Sequence, residues 1–276
     1  MKLSYYPGCS LEGTAADYAA SIAGVAELLG LTLAELPDWN CCGASAAHSL
    51  DEAAARALPV RNLRLAQTVG LDVVAPCALC FNRLKAGAKA LAAEGERPTF
   101  RVWDLLDLLT QPYFLQRMAD LRARPLTGLQ AVCYYGCLVN RPPHITDAAN
   151  PENPGNMEKL LQVLGATPLE WSFKTDCCGA GLAVARPDLI DRLVQRLYDR
   201  ALRAGAECLV VSCQMCQANL DLPQARISRQ AGKKYELPVL YFTELIALAL
   251  GHPEVPRWLA RHLVDPRPLL TAKGLL

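Results

Sequence analysis

The sequence predicts an α/β protein built as two pseudo-symmetric copies of one unit with mostly parallel sheets. Three observations lead there. Ten of the twelve cysteines spell one pattern twice. Short apolar runs alternate with longer segments of helical spacing, and such alternation gives a parallel sheet covered on its faces by helices. The residues around the cysteines repeat with them. Tyr5-Tyr6-Pro7-Gly8-Cys9 answers Tyr134-Tyr135-Gly136-Cys137, and Asn40-Cys41-Cys42-Gly43-Ala44 answers Asp176-Cys177-Cys178-Gly179-Ala180. The run from Asp72 to Cys77 likewise answers the run from Cys208 to Cys213. The offset is 128 residues at the first cysteine and 136 at the rest, so eight residues have been added between Cys137 and Cys177. A period this long marks a duplicated domain and not a solenoid.

The elements follow in order. Residues 2–6 and 131–135 read as strands, each ended by a glycine turn. Residues 15–29 have helical spacing and stop at Gly30. Residues 50–69 read as a second helix ended by Gly70, with Pro59 as a point of kinking or splitting. Its counterpart is 187–204, with proline in its first turn and Gly205 at its end. Residues 73–75 and 208–211 are expected as buried strands, and the CxxC after each opens the next helix. A tail repeats too: 102–109 resembles 241–248, an apolar start running into a Leu-rich helix. The expected architecture is two duplicated Rossmann-like units, residues 1–126 and 127–276. They join around residues 111–130, where Arg117, Arg122, Arg124 and Pro125 fit a solvated linker better than a docking surface. Sites in such sheets lie beyond the carboxyl ends of the strands, where Cys9, Cys77, Cys137 and Cys213 fall.

Length and charge narrow the class. A chain of 276 residues buries a full core unaided. Disulfide frameworks belong to small secreted domains, and Met1-Lys2-Leu3-Ser4 does not begin a signal peptide. The longest apolar stretch near the end, residues 245–250, is too short to cross a bilayer. The expected location is the reducing cytoplasm, with any membrane association made through partners. Clustered cysteines there bind metals or catalyse redox chemistry. With 28 basic against 27 acidic residues, the basic excess of a nucleic-acid protein is absent.

One set of thiols is Cys9, Cys41, Cys42, Cys77 and Cys80; the other is Cys137, Cys177, Cys178, Cys213 and Cys216. In each, 34 residues separate the adjacent pair from the CxxC. A CxxC behind a strand presents two thiols to one point. The adjacent pair adds two more from a glycine-turned loop, and successive side chains diverge, so they serve two neighbouring metal atoms more readily than one. The lone cysteine is a fifth ligand. Structural zinc closes with four, so five soft thiolates fit a polynuclear iron–sulfur cluster better.

The arrangement Cys-x31-Cys-Cys-x34-Cys-x2-Cys, followed by Cys-x39-Cys-Cys-x34-Cys-x2-Cys, resembles the cysteine-rich CCG domain. The tandem resembles the B-type subunit of heterodisulfide reductase over nearly the whole chain. That resemblance implies one noncubane [4Fe-4S] cluster per set, the two facing each other across a cleft between the halves. It implies a disulfide/thiol oxidoreductase subunit that reduces a disulfide there, or oxidises thiols in reverse as in sulfur-oxidising relatives. The substrate it implies is a small molecule or a lipoyl-bearing protein. The partners it implies are the ferredoxin-like and the flavin-bearing subunits of the complex, of the C and A types. Two alternatives stand beside it: a CCG electron-transfer subunit of lactate, glycolate or succinate oxidation, and a zinc-stabilised assembly module.

Weaker candidates remain. His48 and His144 are proton-donor candidates, six residues after Cys42 and seven after Cys137, although a surface histidine is the plainer reading. Cys133 and Cys208 read as core thiols; the counterpart of Cys133 is an apolar residue or Ser4. Residues 141–155, dense in Pro and Asn, exclude a regular helix and read as a loop shaping the cleft. Arg226, Arg229, Lys233 and Lys234 read as a solvated basic stretch, and Trp39, Trp103, Trp171 and Trp258 as core or interface aromatics. There is no glycine-rich dinucleotide fingerprint, so no flavin or nicotinamide is expected on this chain.

Overall fold

The computed structural model describes the backbone of residues 1–276 and every side chain but that of Ala46. In the first half β1 (Lys2–Tyr5) leads through α1 (Ala16–Leu29) to β2 (Thr32–Glu35). Helices α2 (Ala46–Leu50) and α3 (Glu52–Val69) return the chain to β3 (Val73–Ala75). Helix α4 (Ala78–Ala93) then reaches β4 (Val102–Asp104), and α5 (Leu105–Leu109) closes the half. After α6 (Pro112–Leu121) the second half runs β5 (Gln130–Tyr134), α7 (Pro143–Thr146), α8 (Asn156–Leu164) and β6 (Thr167–Pro168). It continues with α9 (Pro187–Arg203), β7 (Cys208–Val211), α10 (Gln214–Asp221), α11 (Gln224–Ala231), β8 (Val239–Tyr241) and α12 (Phe242–Leu250). Two short helices follow, α13 (Val255–Leu259) and α14 (Arg267–Ala272).

The strands form two four-stranded sheets, ordered β2-β1-β3-β4 and β6-β5-β7-β8, with every pairing parallel. The middle strands β3 and β7 are buried at every residue, as apolar strands covered on both faces must be. The duplicated α/β architecture expected from the sequence is present. Helix α1 ends at Gly30, whose left-handed backbone (φ +67°) lets its N–H bond back to Ala26 and Glu27.

Four expectations change in detail. The break in 50–69 comes at Asp51, whose extended backbone and side chain cap the N–H of Ala54, while α3 runs straight through Pro59. The tail repeat holds, but its register shifts. Val73 pairs with Val102 and the matching Leu209 pairs with Val239, so Val102 answers Val239 and not Tyr241. The same ladders settle the counterpart of Cys133. It pairs with Val210 as Tyr5 pairs with Val74, so Tyr5 occupies its place. And residues 111–130, although Arg122, Arg124 and Pro125 are exposed as expected, are anchored along one face. Phe114, Met118, Leu126 and Leu129 are buried, Arg117 donates to the Leu29 carbonyl at 2.9 Å, and Arg124 to that of Leu275 at 2.7 Å. An amphipathic helix between two sheets is packed because its apolar stripe has a place to go.

The halves meet along a polar and aromatic seam. Tyr18 on α1 stacks on Tyr241 at 4.2 Å, and the Ser21 and Thr243 hydroxyls share a buried hydrogen bond of 2.7 Å. The Asn82 amide donates to the carbonyls of Leu138 and Arg141, both at 3.0 Å. Asp147, in the inserted stretch, pairs with Lys85 and Lys89 of α4. Apart from the single turn of α7, residues 141–155 are irregular, as expected. No helix among the described residues is long and apolar enough to cross a membrane.

Candidate metal centre

Each sheet delivers two cysteines from its middle. From the first strand of each half the chain steps to one side, and from the next to the other, so the loops leaving those neighbours diverge and open a crevice. Cys9 and Cys77 follow β1 and β3; Cys137 and Cys213 follow β5 and β7. Cys77 and Cys213 stand at the caps of α4 and α10, which sets Cys80 and Cys216 one turn further along. The double cysteines arrive in the loops behind β2 and β6.

The thiols of each half gather. Cys178 Sγ lies 3.7 Å from Cys216 Sγ, and Cys137 Sγ 4.0 Å from Cys177 Sγ. In the first half Cys42 and Cys77 push the Cys80 thiol up, and burial followed by Cys41, Cys42 and Cys77 pushes up Cys9. Cys42, Cys77, Cys80, Cys178, Cys213 and Cys216 are buried, while Cys9, Cys41 and Cys177 reach the surface. Among the described residues no three Cys, His, Asp or Glu side chains converge as a single-ion site.

Main-chain N–H groups support the double cysteines. Gly43 donates to Cys41 Sγ at 3.5 Å and Gly179 to Cys177 Sγ at 3.3 Å. The Cys177 thiol is pulled down to about 6, first by its contact with Cys137 and then by the Gly179 N–H. Cys178 is lowered to about 7 by Cys216 and the Ala180 N–H, and Cys77 to about 7 by Cys80 and nearby N–H groups. Their partners Cys80, Cys137 and Cys216 are pushed up in return. Thiolate is the metal-binding form, so N–H donors at these sulfurs favour the ligand state.

Two glycines keep the backbone clear. A Cβ on Gly8 would stand 2.7 Å from Cys80 Sγ, and one on Gly136 2.9 Å from Cys216 Sγ; both residues have positive φ, +73° and +67°. Soft donors, N–H support and a backbone held off the sulfur fit a thiolate-bound cluster in each half. The sequence reading passed over two further residues. Tyr6 donates to the Asn40 carbonyl at 2.6 Å and Tyr134 to the Asp176 carbonyl at 2.5 Å. Each pins the residue before a double cysteine to its strand. The signal was present, as the tyrosine two residues before the glycine in both copies.

Residues 3–85 and 131–221 match the cysteine-rich CCG domain, one copy in each half. The chain belongs to the CCG family. It is 30% identical to the 8-methylmenaquinol:fumarate reductase membrane anchor subunit of Wolinella succinogenes, over 97% of this chain and 99% of that one. It is 26% identical to the B-type subunit of the ferredoxin:CoB-CoM heterodisulfide reductase of Methanosarcina mazei, over 91% of this chain and 89% of that one. A hypothetical protein from Helicobacter pylori shares the fold in its crystal structure, with a TM-score of 0.68 and 10% identity, over 96% of this chain and 52% of that chain. The resemblance to the heterodisulfide reductase B-type subunits therefore holds, and the named relatives of this CCG protein are subunits of oxidoreductases.

The weaker candidates separate. Cys133 and Cys208 are fully buried strand residues, and burial pushes both thiols up, Cys208 to about 12. His48 is exposed and its Nδ1 lies 3.0 Å from an Arg83 guanidinium nitrogen; His144 is exposed on α7. No hydrogen bond joins either to a cysteine among the described residues. Arg226 and Lys233 pair with Asp191 and Asp199, and Lys234 with Glu236. Trp171 and Trp258 are buried, while Trp39 and Trp103 are half-buried against Tyr6 and Asp72.

Proposed function

We propose that this CCG protein is the cluster-bearing subunit of a heterodisulfide-reductase-like complex, acting on a disulfide or dithiol between its two halves. The observation that carries this reading is two complete five-thiol sets, one gathered behind the middle strands of each sheet. Cys9, Cys41, Cys42, Cys77 and Cys80 would hold one [4Fe-4S] cluster, and Cys137, Cys177, Cys178, Cys213 and Cys216 the other, both of the noncubane kind. Such a pair supplies two one-electron centres, which matches the two electrons of a disulfide couple.

The chain's own groups supply the rest. The N–H groups of Gly43 and Gly179 hold the leading sulfur of each double cysteine, and Tyr6 and Tyr134 hold the loop behind it. Reduction of one disulfide takes two electrons and two protons and releases two thiols. Exposed His144 and His48 stand as the candidates to deliver those protons. The electrons would come from a ferredoxin-like partner and a flavin-bearing one, since the chain carries no dinucleotide motif of its own.

A second reading has its own support. The relative with 30% identity over 97% of the chain is a fumarate reductase subunit, which favours electron transfer in a quinol-linked enzyme. Anaerobic purification tests both. The chain should hold about eight irons with matching labile sulfide, two four-iron sets. A paramagnetic signal that appears on oxidation only with added thiol supports the disulfide reading. Full iron content without thiol dependence supports the second reading, and zinc without sulfide defeats both. Cys42→Ser and Cys178→Ser should each remove about half the iron.

A further inference from the structure

In each half the CxxC helix, the end strand and the first turn of the helix after it bound a groove, and the two grooves are filled differently. In the second half the chain fills its own. Glu244 of α12 pairs with His262 at 2.8 Å, and Gln217 of α10 meets the other ring nitrogen at 3.3 Å. The Asp221 carboxylate, also on α10, accepts from the N–H groups of Leu263 and Val264 at 2.8 and 3.0 Å. An irregular segment is thereby tied down, and β8 is buried at every residue. By the repeat, the positions in the first half that match Gln217, Asp221 and Glu244 are Phe81, Lys85 and Asp107. All three line an open cavity of about 420 Å³ beside β4, whose Val102 and Trp103 are only half-buried.

Two features say what the open groove suits. The first is charge. Lys85, Lys89, Arg97 and Arg101 line it, and the one carboxylate paired with any of them among the described residues is Asp147, shared by Lys85 and Lys89. The Asp104 carboxylate is taken up by the N–H groups of Leu106 and Asp107, and that of Asp107 by the Asn156 amide. The second feature is a strand edge. β4 ends its sheet and pairs with β3 alone. Val73 donates to the Arg101 carbonyl, and alternate residues of a parallel strand turn to the same neighbour, so Val102 turns its N–H and C=O away from β3. Such an edge is a template for pairing with another chain.

We propose that this groove seats a non-helical, acidic segment of a partner protein, as residues 262–264 fill the matching groove of the second half. Its carboxylates meet Lys89, Arg97 and Arg101, its backbone pairs with Val102, and its apolar side chains rest on Ala88, Ala92 and Phe100. Lysine at the position of Asp221 exchanges an acceptor of N–H groups for a donor to carboxylates, which sets the sign of the partner. Asp147 shows the same pairing from within the chain. The groove holds none of the ten patterned cysteines, so it stands whether or not they hold metal.

The test uses the whole chain, purified anaerobically. Displayed random peptides of about eight residues, a strand's length, are selected on it at low salt. They are counter-selected on the double variant Lys89→Glu with Arg97→Glu, both side chains being exposed. The survivors should be rich in Asp and Glu, bind the variant about tenfold more weakly or worse, and lose affinity as salt rises. Versions with lysine in place of the acids should prefer the variant, which a merely misfolded variant cannot produce. Bound peptide should also slow hydrogen exchange at the Val102 amide. No acidic family, equal binding to both chains, lysine versions that gain nothing on the variant, or unchanged exchange at Val102 overturns the proposal. So does full displacement of the peptide by equimolar glutarate, which makes this a small-anion site. Self-association of the chain that the peptide disperses also overturns it, since a second copy is then the occupant.

Discussion

The two halves place matching thiols on matching sheets, but they close around them differently. In the first half the helix after the last strand starts at Asp104, a buried carboxylate that accepts from the N–H groups of Leu106 and Asp107. In the second half Tyr241 takes that place. Glu244 caps its N–H at 2.9 Å and pairs at 2.8 Å with His262, both side chains fully buried. The second half also carries the added stretch, whose Asp147 grips α4 of the first. The lesson is that the cysteine loops have kept their pattern between the halves, while the surrounding layer has diverged. Symmetry is kept where a sulfur must be placed, and dropped where only packing is required.

That contrast can be broken at its symmetric part. Gly8→Ala forces a Cβ against Cys80 Sγ at a left-handed backbone position, a strain of about 1–2 kcal/mol before any clash. It should strip about half the iron and leave the second half loaded; Gly136→Ala should do the reverse. Metal analysis per chain checks this, and loss of all iron from either variant would mean that the halves load as one.

The asymmetric layer gives a smaller effect with a sign. Burial works against a charge on His262, yet Glu244 in contact, with Asp221 and Asp17 nearby, raises its pKa to about 9. Gln217 and Tyr241 complete its surroundings. The folded value lies above the ordinary one near 6.5, so the stabilisation is full below about pH 6.5 and is lost as pH rises through about 9. Its upper size is about 3 kcal/mol. Chemical unfolding followed against pH should show a decline over that window, and His262→Gln should flatten it.

The added stretch gives the smallest effect. Asp147→Asn removes the carboxylate shared by Lys85 and Lys89, at a position half open to water. The loss should be under about 1 kcal/mol and should vanish in high salt. A loss of several kcal/mol that salt does not touch would make the stretch a structural brace. Turnover is the other readout here: removal of residues 147–154 should alter substrate use if the loop shapes the cleft.

What was legible follows from range. The ten cysteines, the glycines beside them and the short strands are local patterns, and duplication printed each of them twice. The packed nature of α6 was missed because Arg117, with Arg122 and Arg124 just beyond the helix, dominates the reading, although Phe114 and Met118 stand one turn apart and mark a buried face. Pro59 drew attention away from Asp51, the real boundary. The buried pair of Glu244 and His262 had no signal at all, because only the folded chain brings the two together.

Helix α6 does more than connect. Two separate copies pairing about a two-fold axis would receive every substitution twice, once on each side, so neither site could become unlike its twin. Joined in a single chain by a helix anchored on Leu29, the two copies escape that constraint. A lysine at one position can answer an aspartate at its match, and eight extra residues can lie on one side only. Covalent fusion is therefore what permits the two thiol sets of a molecule built from a repeat to become unlike.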